Sequence, residues 1–202
     1  MRSLILLFVL LFAGLAQAQV SRAKMPSFRD ESNSLKIFLL NPEMRYERAD
    51  SQEMVDRKPL NFAVALQMRK ISVLMEYARF EEDTGNGTSS LERTHQDVVM
   101  WGRYHFFNGT NGDQSVESTL FAGAGAGLYE DEVTTNLMGQ SRTDKSNTKF
   151  MSGVVAGGEV SVNVTKDFGV LAALEGRALF ASDFDPNPVW SAVLRLGFQL
   201  SL

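Results

Sequence analysis

Apolar and polar positions alternate along most of this chain. In 60–68, Leu60, Phe62, Val64, Leu66 and Met68 share one face, while Asn61, Ala63, Ala65 and Gln67 share the other. The last segment does the same: Trp190, Ala192, Leu194, Leu196, Phe198, Leu200 and Leu202 alternate with Ser191, Val193, Arg195, Gly197, Gln199 and Ser201. Period two also runs through 71–78, 97–106, 117–128, 154–164 and 170–180. A first run places Phe38, Leu40, Met44 and Tyr46 on its apolar face, which makes eight predicted strands. No sustained helical period competes with them.

The connections fall into two sets that take turns. Polar stretches 48–59, 82–94, 130–147 and 181–188 are long, whereas 69–70, 108–113 and 165–167 are tight. That order predicts an all-β, antiparallel up-and-down meander with long loops at one end and short turns at the other. Most strands have nine or more residues, enough to cross a bilayer when tilted. Two local features predict irregularity: Pro42 inside the first strand implies a bulge or bend, and Gly157-Gly158 implies a bend in the sixth. Residues 19–34 show no clear period and are expected to form a flexible periplasmic lead.

Alternation alone fits two arrangements. A soluble lipocalin-like barrel would turn its aliphatic face inward, and a membrane barrel would turn it outward. Large aromatics on that face cluster at strand ends, with Tyr46, Phe62, Tyr77, Phe150, Phe180 and Trp190 toward the long loops. Phe38, Phe106, Phe168 and Phe198 lie toward the short turns. Two aromatic girdles with aliphatic residues between them describe a membrane belt. The opposite face carries Glu43, Glu76, Asp97, Glu117, Glu159 and Glu175 together with Arg45, Arg69, Arg103, Arg177 and Arg195. Eight strands enclose a space just wide enough for side chains, so these charges must pair and plug the lumen.

Composition changes this picture less than it first suggests. The chain is 44% hydrophobic and 22% charged, with a mean hydropathy of −0.11. Those averages resemble a soluble domain only because the strands interleave two opposite surfaces. A net charge of −4 gives no basic field for nucleic acid. With no cysteine, thiolate chemistry and Cys-ligated metal sites are excluded. At the start, Met1-Arg2, an apolar stretch over 4–15 and Ala16-Gln17-Ala18 read as a cleaved export signal over 1–18.

The C-terminal stretch Arg195-Leu196-Gly197-Phe198-Gln199-Leu200-Ser201-Leu202 carries a polar, glycine and alternating apolar pattern. It resembles the assembly signal of bacterial outer-membrane β-barrels, with Arg195, Gly197, Leu200 and Leu202 in the key places and Leu where those signals usually end in an aromatic. Taken with the export signal and loop rhythm, residues 35–202 resemble the small barrel family that includes the OmpA transmembrane domain and OmpX. The resemblance implies a monomeric, non-enzymatic outer-membrane barrel without a cofactor. Its implied partners are outer-membrane lipids and lipopolysaccharide, the barrel assembly machinery and other envelope or cell-surface proteins.

Candidate chemistry is sparse. Gly123-Ala124-Gly125-Ala126-Gly127 has glycines at dinucleotide-like spacing, but Leu128-Tyr129-Glu130-Asp131 does not open a helix after them. The acidic stretches 81–87 and 130–132 do not match calcium-loop spacing. His95 and Asp97 share a face, with Ser89 and Ser90 nearby, which raises a lipid A-modifying barrel enzyme as the alternative. No His-x-Ser pairing accompanies either histidine: His105 is followed by Phe106-Phe107. The residues therefore predict no catalytic, cofactor or metal site.

Overall fold

A computed structural model describes residues 33–46, 54–56, 58–86, 89–111, 115–137, 140–165, 167–184 and 187–202. The expected export signal over 1–18 and the expected lead 19–34 as far as residue 32 lie outside the described residues, whereas Ser34, its last residue, is already paired with Ser201 and Gln67. Eleven strands follow in order: β1 (Ser34–Leu40), β2 (Glu43–Tyr46), β3 (Met54–Asp56), β4 (Lys58–Met68), β5 (Ile71–Asn86), β6 (Ser89–Thr110), β7 (Val116–Leu137), β8 (Gln140–Lys145), β9 (Lys149–Asn163), β10 (Phe168–Phe180) and β11 (Val189–Ser201). Three breaks divide single staves, so β1–β2, β3–β4 and β8–β9 each count once. The result is eight antiparallel staves. Pairing runs from β1 through β4, β5, β6, β7, β9 and β10 to β11, and β11 pairs back onto β1. Closure leaves no sheet edge around the wall, which is what a bilayer demands of a β structure.

Side chains sort by parity. Ser72, Leu74, Glu76, Ala78 and Phe80 of β5 are buried, whereas Ile71, Val73, Met75 and Tyr77 stand exposed on the outer wall. The same contrast runs through β6, β10 and β11. An exposed aliphatic surface this continuous is unsustainable in water and is the surface a hydrocarbon layer covers.

Parity changes once in β1, and that change corrects the expected placement of Phe38. The register against β11 shifts between Phe38 and Leu40. Leu39 and Leu40 are both exposed, so the bulge turns the first half of the strand over. Phe38 is therefore fully buried in the lumen and does not belong to the short-turn girdle. Lys36 follows it inside.

Pro42, just beyond the bulge, breaks the stave between β1 and β2. Side-chain amides stand in for the interrupted ladder. Asn41 Nδ2 donates to Phe38 O and to Asn61 O, each at 3.1 Å, and Asn61 Nδ2 donates to Asn41 O at 3.1 Å. Leu194 N–H donates to Pro42 O at 3.0 Å, which ties the break to β11. The bend expected at Gly157-Gly158 does not interrupt pairing, since β9 keeps continuous register with both neighbours. Gly157 instead makes room: a Cβ there would lie 2.9 Å from the Phe121 ring.

The segments 82–94 and 130–147 are not irregular loops. β5 and β6 stay paired from Ile71–Tyr104 to Asn86–Ser89, and β6 pairs β7 as far as Ser89–Leu137. β8 extends the sheet through Glu132–Lys145 to Leu137–Gln140. Thr, Val and Leu spaced between charged residues keep period two alive there, beneath a polar composition that reads as loop. β6 and β7 each have 22 residues, about twice the roughly 9–11 that cross a bilayer. A four-stranded sheet therefore rises from the wall at the long-loop end.

Candidate functional site: the charged lumen layer and the outer mouth

Five charged side chains from β5, β6, β10 and β11 meet inside the barrel. Arg195 donates from Nε to Glu175 Oε1 and from Nη2 to Glu76 Oε2, both at 2.9 Å. Its Nη1 reaches Asn41 Oδ1 at 2.6 Å. Arg177 donates from Nη2 to Glu76 Oε2 at 2.7 Å and to Glu175 Oε2 at 2.9 Å. Arg103 Nη2 lies 2.6 Å from Glu175 Oε1. Each of the five is at most 3% exposed.

Aromatic rings complete the layer. The Arg103 guanidinium lies over Phe121 at 4.7 Å, that of Arg177 over Trp101 at 4.9 Å and that of Arg195 over Phe38 at 5.6 Å. Stacking of this kind suits arginine, whose planar cation is weakly hydrated. The glycine run of β7 serves the same layer, because a Cβ on Gly125 would come within 2.6 Å of the Trp101 ring. These glycines sit inside a strand with no helix after them, so they form no nucleotide cradle.

The remaining predicted charges sort by position. Glu43 and Glu159 are buried, and Glu159 pairs with Lys36, a lumen cation that plain alternation misses because the bulge inverts its face. Asp97 is buried higher up, where its Oδ2 lies 3.2 Å from His95 Nε2. Glu117 is half-buried at the short-turn end and accepts from Asn163 Nδ2 at 2.9 Å. Arg69 is not in the lumen. It occupies the exposed two-residue turn between β4 and β5 with φ of 56°, where backbone geometry decides its place. Arg45 and Tyr46 pair with Ser191 and Trp190 along the backbone, and their side chains lie outside the described residues.

On the outer wall, Phe62, Tyr77, Phe150, Phe180 and Trp190 are exposed toward the long-loop end. Phe106 and Phe168 are exposed at the other end, where Phe198 is half-buried and packs 6.0 Å from Phe168. Phe107 joins them, because a second register shift between His105 and Phe107 turns both phenylalanines outward. Of the C-terminal set, Arg195 faces the lumen and Gly197 lies against the β1 backbone, its Cβ position 2.1 Å from Ile37 O. Leu200 is half-buried and Leu202 is 70% exposed.

Above the lumen layer, the mouth is built around His95 and Tyr129. His95 stacks on Tyr129 at 5.6 Å, and its Nδ1 lies 2.8 Å from Asp131 Oδ1. Against the burial that raises it, the hydrogen bond and charge of His95, helped by Arg93, hold the Asp131 carboxyl below its ordinary range. The segment after β10 folds across this mouth. Asp183 accepts from Lys149 Nζ and from Tyr129 Oη, and those bonds hold its carboxyl low as well. Phe184 packs 5.2 Å from Tyr129. Both His95 nitrogens thus face carboxylates, an arrangement that positions the ring. No cluster able to hold a metal occurs among the described residues.

A closed eight-stranded antiparallel wall, apolar outside and charged within, defines the architecture of the small outer-membrane β-barrels. Among solved structures, Neisserial surface protein A shares 16% identity with this chain at a TM-score of 0.51, covering 86% of this chain and 98% of that one. The attachment invasion locus protein Ail of Yersinia pestis gives 17% and 0.43, covering 84% and 97%. A major outer membrane protein of Thermus thermophilus gives 11% and 0.46, covering 86% and 100%. At these identities the likeness is one of fold, and the first of the three carries it. No protein-family model and no curated protein matches the sequence.

Proposed function

We propose that this protein is a non-enzymatic barrel of the bacterial outer membrane, exported with a cleaved signal over 1–18 and closed to bulk flow by its charged core. The observation that carries this reading is the lumen layer itself. Glu76, Glu175, Arg103, Arg177 and Arg195 are mutually paired and nearly solvent-free between an exposed aliphatic wall and stacked aromatics. Such a layer fixes the barrel's cross-section and leaves no aqueous path. Work is then left to the parts that stand outside the membrane: the β5–β8 sheet and the segment 181–188. On this reading their partners are lipopolysaccharide and other envelope or cell-surface proteins. Arg195, Gly197, Leu200 and Leu202 are assigned to recognition by the assembly machinery, and a sheet that closes on itself through β1 and β11 suits a monomer.

The test combines three measurements on the full-length protein. Membrane fractionation should place it with outer-membrane vesicles, and unheated samples should migrate differently from heated ones on a gel. Planar bilayers carrying the purified protein should show no steady conductance. Recovery as a soluble protein with heat-insensitive mobility would refute the membrane assignment, and a stable open channel would refute the closed lumen. Lipid A modification, the alternative chemistry, predicts that His95→Ala alters the lipid A mass spectrum. An unchanged spectrum is expected, because the ring is clamped between Asp97 and Asp131.

A further inference from the structure

The wall has a lateral notch at the level of the upper girdle. The ladder between β9 and β10 ends at Ser152–Phe180, although β9 begins three residues earlier at Lys149. Beyond that point the segment after Phe180 turns inward over the mouth, held by Phe184 N–H to Ala181 O and by Asn187 Nδ2 to Ala181 O. The gap left behind is a cleft of about 490 Å³ lined by Lys149, Phe150, Phe180, Ala181, Ser182 and Asn187. β9 stays paired with β7 through Tyr129–Lys149 but has no β10 partner there, and Lys149 and Phe150 both line the cleft, an interfacial aromatic beside a mouth lysine.

We propose that this notch seats the phosphorylated headgroup of a lipid from the surrounding outer leaflet. The inference rests on the membrane reading above and names a binding site within it. Phe150 and Phe180, 64% and 40% exposed, continue the girdle into the cleft and offer an apolar floor to the first part of an acyl chain. At the polar rim the Lys149 side chain is 40% exposed. Its ammonium has three donors, and Asp183 engages it from the mouth side. The Ser182 hydroxyl and the second amide hydrogen of Asn187 are further donors for phosphate or sugar oxygens. Cation and hydroxyl above, aromatic below, match an amphiphile with an anionic head. A free anion would leave the aromatic floor unused. Because Asp183 shares the lysine, its own charge opposes the phosphate, and neutralising it should strengthen binding.

The test is native mass spectrometry of the full-length barrel, delipidated and then offered diphosphorylated lipid A or its fully dephosphorylated form in mixed micelles. Wild type should retain the phosphorylated form about tenfold better, the scale of one added charge-assisted contact. Lys149→Ala should erase that preference, Lys149→Arg should keep it and Asp183→Asn should increase it. Lys145→Ala, on β8 away from the notch, should leave it unchanged. Inorganic phosphate at millimolar concentration should not displace the lipid; displacement would reveal a simple anion site and overturn the lipid assignment. Equal retention of the two lipids by wild type, or the wild-type preference in Lys149→Ala, would overturn the notch. Heat-modifiable mobility, recorded in parallel, separates the two failures: its loss in wild type overturns the membrane reading, whereas its persistence with no lipid preference overturns the notch alone.

Discussion

Changing Glu175 to Gln tests the lumen layer at its centre. Glu175 is 1% exposed and receives three guanidinium groups, from Arg103, Arg177 and Arg195. Glutamine fills the same volume, so packing is preserved and only charge and donor polarity change. The new amide would turn N–H groups toward a guanidinium, and three buried cations would be left with Glu76 as their immediate counter-charge. Removing one partner from a buried ion pair costs about 3–5 kcal/mol, and a carboxylate with three partners belongs at the upper end of that range. With a urea dependence of about 2 kcal/mol per molar, the unfolding midpoint should fall by roughly 2 M. The matched control is Glu117→Gln at the half-buried short-turn end, where the cost should stay within about 1 kcal/mol. Urea titration in lipid vesicles, read by the heat-modifiable band and by the combined emission of Trp101 and Trp190, measures both. Equal midpoint shifts for the two variants would refute the claim that the layer holds the barrel together.

Three further outcomes follow from other parts of the wall. Leu174→Arg places a cation on the outer face midway between Phe168 and Phe180; it should cost about 2–4 kcal/mol in bilayers, measured by the same titration, and a negligible shift would mean that this face is not in hydrocarbon. Gly125→Val drives a side chain into Trp101 and the Met100 carbonyl, whose atoms stand 2.6 and 2.7 Å from a Cβ; overpacking of about 1–3 kcal/mol should lower the thermal midpoint and shift the tryptophan emission. Acid should loosen the mouth before the wall: Asp131, its ordinary value near 3.8, is held lower in the folded protein, so its stabilisation is complete above that value and lost as pH falls through the folded one. Amide resonances of 129–137 should broaden below about pH 4 while those of the membrane belt stay sharp, and Asp131→Asn should reduce the transition to the part that Asp183 carries.

Period two makes the eight staves, the two girdles and most of the lumen layer readable from sequence. Glu76, Asp97, Glu175, Arg103, Arg177 and Arg195 all fall where simple alternation puts them, because β5, β6, β10 and β11 keep one register through that depth. What alternation cannot carry is a change of phase. Counting back from Leu40 puts Phe38 outside, and the bulge at Leu39 reverses it. Arg69 has a lumen-type residue identity but a turn position, and φ of 56° removes it from both faces. The risen sheet is hidden for a different reason. Its residues are mostly polar, with Leu91, Val133 and Leu137 the large apolar ones, so period two persists in hydrogen bonding while it thins in hydropathy. Thr134 and Thr143, bonded across the pair at 3.1 Å, are the available signal.

The bulge also resolves an imbalance that plain alternation leaves. Counted without it, Lys36 faces outward and Glu159 loses the ammonium that pairs with it. With it, Lys36 enters and pairs with Glu159, and both are nearly solvent-free. Phe38 moves inward by the same step and supplies the ring beneath Arg195. An unpaired buried carboxylate would cost about 3–5 kcal/mol, whereas the bulge interrupts the ladder at a single residue, and the neighbouring Pro42 interrupts it in any case. Asn41 then serves both ends: its amide hydrogens hold the broken strand and its Oδ1 accepts from Arg195. The irregular stretch 38–43 is thus the point where the backbone adjusts to satisfy the charges of the lumen, and the paired charge layer and the broken first stave are one solution to the same electrostatic problem.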